Sequence, residues 1–287
     1  MRLPVLVPAL ALLMLASIVA IADRGSPRPM NRAPVAAVVA APADFDLPAG
    51  PVDDATAAAT EMVSAAEAQR MMVSTAVSSL ASRVTLKSHP DALRLAFQAY
   101  YNFRSAHPEQ VKKPYLYFVD YGLDNRTPRG YVFNMETLSL IDGPFMVAHG
   151  RGSSSDRDGV PTRFSNVNGS ASTSLGLYVA QETYGFVGHS GGSTYRSIGL
   201  RLKGVSGHFN SAARSRGVVV HGAPYVTPAR AGRSEGCPAM EEERAEWLIP
   251  QIADGGMVFL FSPLESGWMA SDPWARDAFP QFADAGT

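Results

Sequence analysis

Apolar and polar positions change rhythm three times along the chain. Residues 3–22 are uncharged and mostly apolar, behind Met1 and Arg2. The run closes on Ala20-Ile21-Ala22, a small-x-small pattern that a signal peptidase cuts. Twenty such residues are also enough to cross a bilayer as a helix. A cleaved export signal and a retained membrane anchor therefore both fit residues 1–22. Residues 23–59 are rich in alanine and proline, a composition that gives an extended spacer. From residue 55 to 84 the pattern turns helical, with Met62, Ala65, Ala66, Gln69, Met72, Val73 and Ala76 near i, i+3, i+4 spacing. A second helix is expected over 91–104, opened by His89-Pro90-Asp91, with Leu93, Ala96, Phe97 and Tyr100 on one face. Residues 60–113 thus read as a helical segment, a stalk or packing element with no reactive cluster.

At Pro114 the period shortens to that of strands. Residues 115–123, 131–135, 138–150, 175–186, 197–205, 217–222 and 257–261 are short, aromatic and β-branched. Asp142-Gly143 reads as a hairpin turn. One long Ser/Gly/Asp stretch, 151–173, exceeds an ordinary connection and is therefore a candidate functional loop. One short helix, 241–254, interrupts the strands. The expected fold class is mainly β, a sandwich or barrel-like domain over 114–263, followed by a tail of residues 264–287 with Trp268 and Trp274.

Composition narrows the chemistry. Of the 287 residues, 46% are hydrophobic and 18% charged, which excludes disorder throughout. Lys and Arg total 25 against 26 Asp and Glu. That balance argues against nucleic acid as a partner, since such binding needs a basic face. A single cysteine, Cys237, excludes an internal disulfide, a four-cysteine zinc site and a CxxC redox pair. The six histidines show no close metal-ligand spacing, so neither metal nor cofactor is expected.

The densest chemistry lies in 218–240, VVVHGAPYVTPARAGRSEGCPAM. A β-branched run delivers His221 to a strand end. Gly222 and Pro224 break the strand, and an Arg/Gly loop leads to Ser234-Glu235-Gly236-Cys237. With a helix expected after Pro238, Cys237 would sit at a helix N-terminus, where backbone amides and the helix dipole favour a thiolate. The amides of Gly236 and Cys237 would then converge on a developing oxyanion, worth roughly 3–4 kcal/mol per donor. His221, sixteen residues upstream, would serve as general base. Taken alone, a lone cysteine is most often a small buried hydrophobe, and a strand-end histidine is as often structural as catalytic. An unpaired thiol in an exported chain, flanked by Ser, Glu, Gly and Pro, favours the reactive reading.

The same segment resembles the L,D-transpeptidase (YkuD) family, in its murein L,D-transpeptidase catalytic domain branch. The residues that carry the likeness are His221-Gly222 and Ser234-Glu235-Gly236-Cys237-Pro238, with residues 147–153 (VAHGRGS), 163–184 and 218–226. The likeness covers about 114–263. It implies cysteine acyl transfer on peptidoglycan stem tetrapeptides, with Cys237 attacking the third residue, D-alanine leaving and a 3→3 cross-link forming. His221 would move the proton, the Gly222 carbonyl would orient the imidazole, and Ser234 would assist the oxyanion or shape the loop. His149, His189 and Arg233 are candidates for the cleft. Arg233, Arg230 and Arg216 are candidates for the substrate carboxylates. The chain departs from the wider family in three places. Glu235 stands where a histidine precedes Gly-Cys, Ala239 replaces an arginine, and Ser234 follows His221 at a spacing of only 13 positions. Two alternatives remain: an L,D-carboxypeptidase or endopeptidase using the same pair, and a silent wall-binding protein. The substrate implies a periplasmic or cell-envelope location.

Overall fold

The computed structural model describes residues 54–265 and 267–276, with side chains from residue 62 onward. The apolar run, nearly all of the Ala/Pro-rich linker and the end of the tail lie outside the described residues. Among the described residues no helix is long and apolar enough to cross a membrane.

Two helices lead the domain, α1 (Asp54–Leu80) and α2 (Ala92–Ala106). The strands that position the site are β1 (Tyr115–Asp120), β2 (Gly130–Asn134), β3 (Ser139–Phe145), β4 (His149–Gly150), β5 (Gly176–Ser190), β6 (Ser193–Gly204), β7 (Val219–Gly222), β8 (Val226–Thr227), β9 (Arg230–Ala231), β10 (Arg233–Ser234) and β11 (Ala239–Met240). Helix α3 (Glu242–Ile252), β12 (Met257–Phe261) and a single turn, α4 (Trp268–Ser271), follow. Eight strands form one mixed sheet in the order β11-β7-β6-β5-β12-β1-β2-β3. The sheet curls until its edges nearly meet. Three residues beyond β3, Ala148 bridges Ala239 of β11, its N–H donating to the Ala239 carbonyl at 2.8 Å. The mainly β, barrel-like expectation is what the structure shows.

Strand alternation sends side chains to two separate cores. Leu116, Phe118, Phe133, Leu177, Phe259 and Phe261 pack on one face against Phe97, Tyr100 and Phe103 of α2, Val73, Ala76 and Leu80 of α1, and Trp268. Tyr117, Val119, Tyr178, Leu200, Val220 and Val258 pack on the other against Ala245, Leu248, Ile249 and Ile252 of α3. The helical segment therefore shares its core with the sheet. Gln69 Nε2 donates to Asn102 Oδ1 at 2.6 Å, and Asn102 Nδ2 to the Trp274 carbonyl at 2.7 Å, stitching α1, α2 and the tail together. Up to Arg276 the tail belongs to the domain.

Two local expectations need correction. Asp142-Gly143 is no hairpin turn, because β3 runs through both residues. Glycine is required there for another reason: φ is +131°, and a Cβ would sit 2.8 Å from the Tyr131 ring and 2.9 Å from the Gly130 carbonyl. Nor does a helix follow Pro238. Ala239 and Met240 instead pair in parallel with β7, and α3 begins only at Glu242.

Candidate active site

The site is assembled on β7. Val218 and Val220 point into the α3-side core, so His221 faces the opposite way. It is only 2% exposed and lies against the β5–β6 hairpin. The Phe186 ring stacks on the imidazole at 4.1 Å between centroids, with Tyr195 at 6.5 Å. Burial holds the imidazole down at about 4, and the Gly222 carbonyl only partly opposes this. That carbonyl lies 2.9 Å from Nδ1 and accepts only, so Nδ1 carries the proton and Nε2 presents a lone pair.

Parallel pairing places Ala239 of β11 level with His221. Cys237 lies two residues before Ala239, and the backbone N–H of Val219, two residues before His221, bonds the thiol. The thiol is half-buried, and its Sγ hydrogen bond goes to the Gly217 carbonyl at 3.9 Å, not to His221. Burial pushes the thiol above its ordinary value. The Val219 amide and the Arg216 cation pull it back, and Glu235 pushes it further up. A raised thiol and a depressed imidazole give a neutral pair at pH 7 rather than a thiolate–imidazolium pair.

Ser234, nearly buried, ties the cysteine turn at two points. Its hydroxyl accepts from the Gly236 N–H at 3.1 Å and donates to the Cys237 carbonyl at 2.6 Å. The Gly236 amide is therefore turned to Ser234 and not toward an oxyanion. The Cys237 N–H has no protein acceptor among the described residues and is the donor of the turn left open. Nor does a helix dipole reach Cys237, since β11 intervenes. Gly236 has φ +124°, and a Cβ there would meet the Ser172 carbonyl at 2.9 Å.

The remaining predicted residues are dispersed. A pocket of about 220 Å³ at Cys237 is walled by Asn168, Gly169, Ala171, Gly217, Val218 and Glu235, with Arg216. His149, His189 and Arg233 are not on its wall. His149 is fully buried, with Nδ1 at 2.9 Å from Arg129. Arginine only donates, so the His149 proton sits on Nε2, the reverse of His221. Burial, aided by the Arg129 and Arg233 cations, holds His149 down at about 3. His189 is exposed near the tip of the β5–β6 hairpin. Arg233 donates to the Ser154 and Asp156 carbonyls at 3.4 and 3.2 Å, and Arg230 lies 3.7 Å from Asp158. Arg216 is engaged by the 165–174 stretch. Glu235 pairs with Arg151 at 2.7 Å on the surface.

Sequence reasoning missed several residues that support the site. Arg129 is fully buried, donates to the Val147 carbonyl at 2.8–3.0 Å and lies over the Tyr121 ring at 4.8 Å. Its one sequence signal is a charged residue at the mouth of an apolar strand. Gly150 is packed so tightly that a Cβ would meet the Ala171 carbonyl at 2.3 Å and Gly236 Cα at 2.8 Å. Its position in VAHGRGS was the available clue.

The fold and site together define the class: a curled mixed sheet whose edge strand β11, begun two residues after a cysteine, pairs with a strand-borne histidine. Comparison then supplies the family. The family model for the L,D-transpeptidase catalytic domain matches residues 85–261. The chain belongs to that family. A comparison with curated proteins finds no match. Among solved structures, an L,D-transpeptidase from Mycobacterium smegmatis is 13% identical with a TM-score of 0.31, covering 52% of this chain and 58% of its own. An L,D-transpeptidase from Stackebrandtia nassauensis is 15% identical with a TM-score of 0.33, covering 61% and 69%. An LD transpeptidase solved with imipenem is 15% identical with a TM-score of 0.32, covering 52% and 59%. The first of these is matched over less than two thirds of its length, and the family assignment rests on the sequence model.

Proposed function

We propose that the protein is a peptidoglycan L,D-transpeptidase that forms 3→3 cross-links between stem peptides at the cell envelope. The observation that supports this reading is the parallel pairing of β7 with β11, which sets Ala239, two residues after Cys237, level with His221 within the family's matched span. Residues 1–22 supply the export signal or anchor that the location needs.

Both reacting groups begin neutral. Rotation about the Cys237 Cα–Cβ bond turns Sγ from the Gly217 carbonyl toward His221. Nε2 takes the thiol proton as sulfur attacks the carbonyl carbon of the third stem residue. Charge develops on the former carbonyl oxygen, and the Cys237 N–H donates to it. The bond to D-alanine then breaks, and the imidazolium gives its proton to the departing amine. A thioester remains on Cys237. The side-chain amine of a second stem attacks it, His221 accepts that amine's proton, and the thiolate leaves and is reprotonated. The Gly222 carbonyl stabilises the imidazolium in both halves through Nδ1.

Incubation of the full-length protein with purified disaccharide tetrapeptide, followed by mass spectrometry, tests this function. A cross-linked dimer with loss of one D-alanine is expected. A trimmed tripeptide monomer alone would identify a carboxypeptidase instead. No change in the substrate would contradict both.

A further inference from the structure

Arg216 precedes β7 and stands at the wall of the thiol pocket, half-buried. Nη1 donates to the Ser165 carbonyl at 2.7 Å and the Ser174 hydroxyl at 3.4 Å. Nη2 donates to the Ser172 carbonyl at 2.8 Å and the Ser170 hydroxyl at 3.2 Å. A guanidinium has five N–H donors, and the four on the two terminal nitrogens are all committed to one stretch of chain. Only Nε–H is left, so no parallel pair of donors remains to hold a carboxylate by a two-point contact. Arg216 is thus built into the wall rather than aimed at a ligand.

The stretch has other ties, Asn166 to the His208 carbonyl, the Ser211 hydroxyl and the Ala212 N–H, and Thr173 N–H to the Ser153 hydroxyl, but Arg216 binds four of its serines at once. Residues 165–174 contain no regular secondary structure, and Val167 is 69% exposed. Yet the stretch is mechanically joined to the nucleophile turn. The Ser172 carbonyl that accepts from Nη2 is also the atom on which Gly236 packs, at a spacing only glycine tolerates. On the opposite side the Thr173 hydroxyl accepts from the Gly150 N–H at 2.9 Å, and Gly150 lies against Gly236. Contact runs from Arg216 through Ser172 to Gly236 and so to Cys237.

We infer that Arg216 is a positioning residue, whose fork fixes residues 165–174 as one wall of the thiol pocket while its charge stands beside Cys237. Lysine would retain the charge but could not reproduce a planar fork on four acceptors. The other titratable groups that act on the thiol are Glu235, Tyr121, Tyr184, Tyr195 and Tyr225. None of them bonds residues 165–174 in Arg216's place. The inference bears on the proposed acyl transfer, but its two readouts need no turnover. They can fail while transpeptidation is sound, or succeed while it is not.

The test compares Arg216→Lys and Arg216→Met in the full-length protein. Amide hydrogen exchange is followed over residues 165–174, and the pH dependence of Cys237 alkylation by iodoacetamide is measured. In both variants exchange over 165–174 should accelerate at least tenfold, while the β1 and β12 amides stay protected. In Arg216→Met the alkylation midpoint should also move to higher pH. In Arg216→Lys it should stay near that of the wild type. Unchanged exchange over 165–174 in the two variants would overturn the clamp. An unshifted alkylation midpoint in Arg216→Met would overturn the role of the charge. If Arg216→Met does not fold, exchange in Arg216→Lys decides the clamp. Arg216→Gln, which also lacks the charge, then decides the midpoint.

Discussion

Ser234 carries more of the site than its size suggests, because one hydroxyl both fills an amide's demand and holds the Cys237 carbonyl. Ser234→Ala removes both bonds and leaves buried polar groups to find new partners, a cost of about 1–3 kcal/mol. The melting temperature should fall accordingly, and Cys237 acylation should slow at least tenfold. Thermal scans and a labelling time course would check both. Glu235 acts by charge alone. Its pair with Arg151 is exposed and stabilises little. Glu235→Gln should therefore leave melting nearly unchanged but lower the pH midpoint of Cys237 alkylation, most clearly at low salt. Wild-type pH dependence in that variant would remove Glu235 from the thiol's surroundings. At this scale the sequence brought the candidates close together along the chain: His221 ends up on β7, Ser234 on β10, and Gly236 and Cys237 in the turn between β10 and β11. The partners of each polar atom were not legible. Nothing in the order of residues shows that Ser234 takes the Gly236 amide, or that four acceptors on a distant loop take Arg216.

Short elements are where sequence and structure part. Strands β1, β5, β7 and β12 were readable because alternation or a β-branched run marks them. Strand β11 has two residues and no pattern of its own. It exists because β7 offers it a ladder, so the helix expected at Pro238 begins instead at Glu242. Strand β4, also two residues long, is set by β10 and by close backbone packing. Gly150→Ala tests that packing. Its Cβ would enter the space of the Ala171 carbonyl, Gly236 and the Thr173 amide. The expected result is a circular dichroism spectrum like the wild type with acylation of Cys237 reduced at least tenfold. Equal acylation would show that the β4 backbone does not set the cysteine turn.

For the whole molecule, buried groups couple stability to pH. His221 and His149 are held at about 4 and about 3, below the ordinary 6.5. Between pH 6.5 and 4 the unfolded chain binds these protons and the folded chain does not, so stability must fall as pH falls through that window. His221 alone contributes on the order of 3 kcal/mol of this loss. Asp120 and Asp272, raised by burial, act in the opposite sense at the acid end. The melting temperature should drop between pH 7 and 4.5, and His149→Gln should flatten the drop. The tail contributes at the same scale. Trp268 is fully buried against Phe259 and Phe261, which its isolated place in the sequence did not reveal. Trp268→Ala should cost about 3–5 kcal/mol in denaturant unfolding. The central claim, that Cys237 is the nucleophile and His221 its base, is tested most directly by intact-protein and peptide mass spectrometry after exposure to a carbapenem. The account predicts one adduct, on the peptide containing Cys237, absent in Cys237→Ser and formed at least ~10²-fold more slowly in a folded His221→Ala variant. An adduct on any other residue, or undiminished labelling in Cys237→Ser, would contradict it.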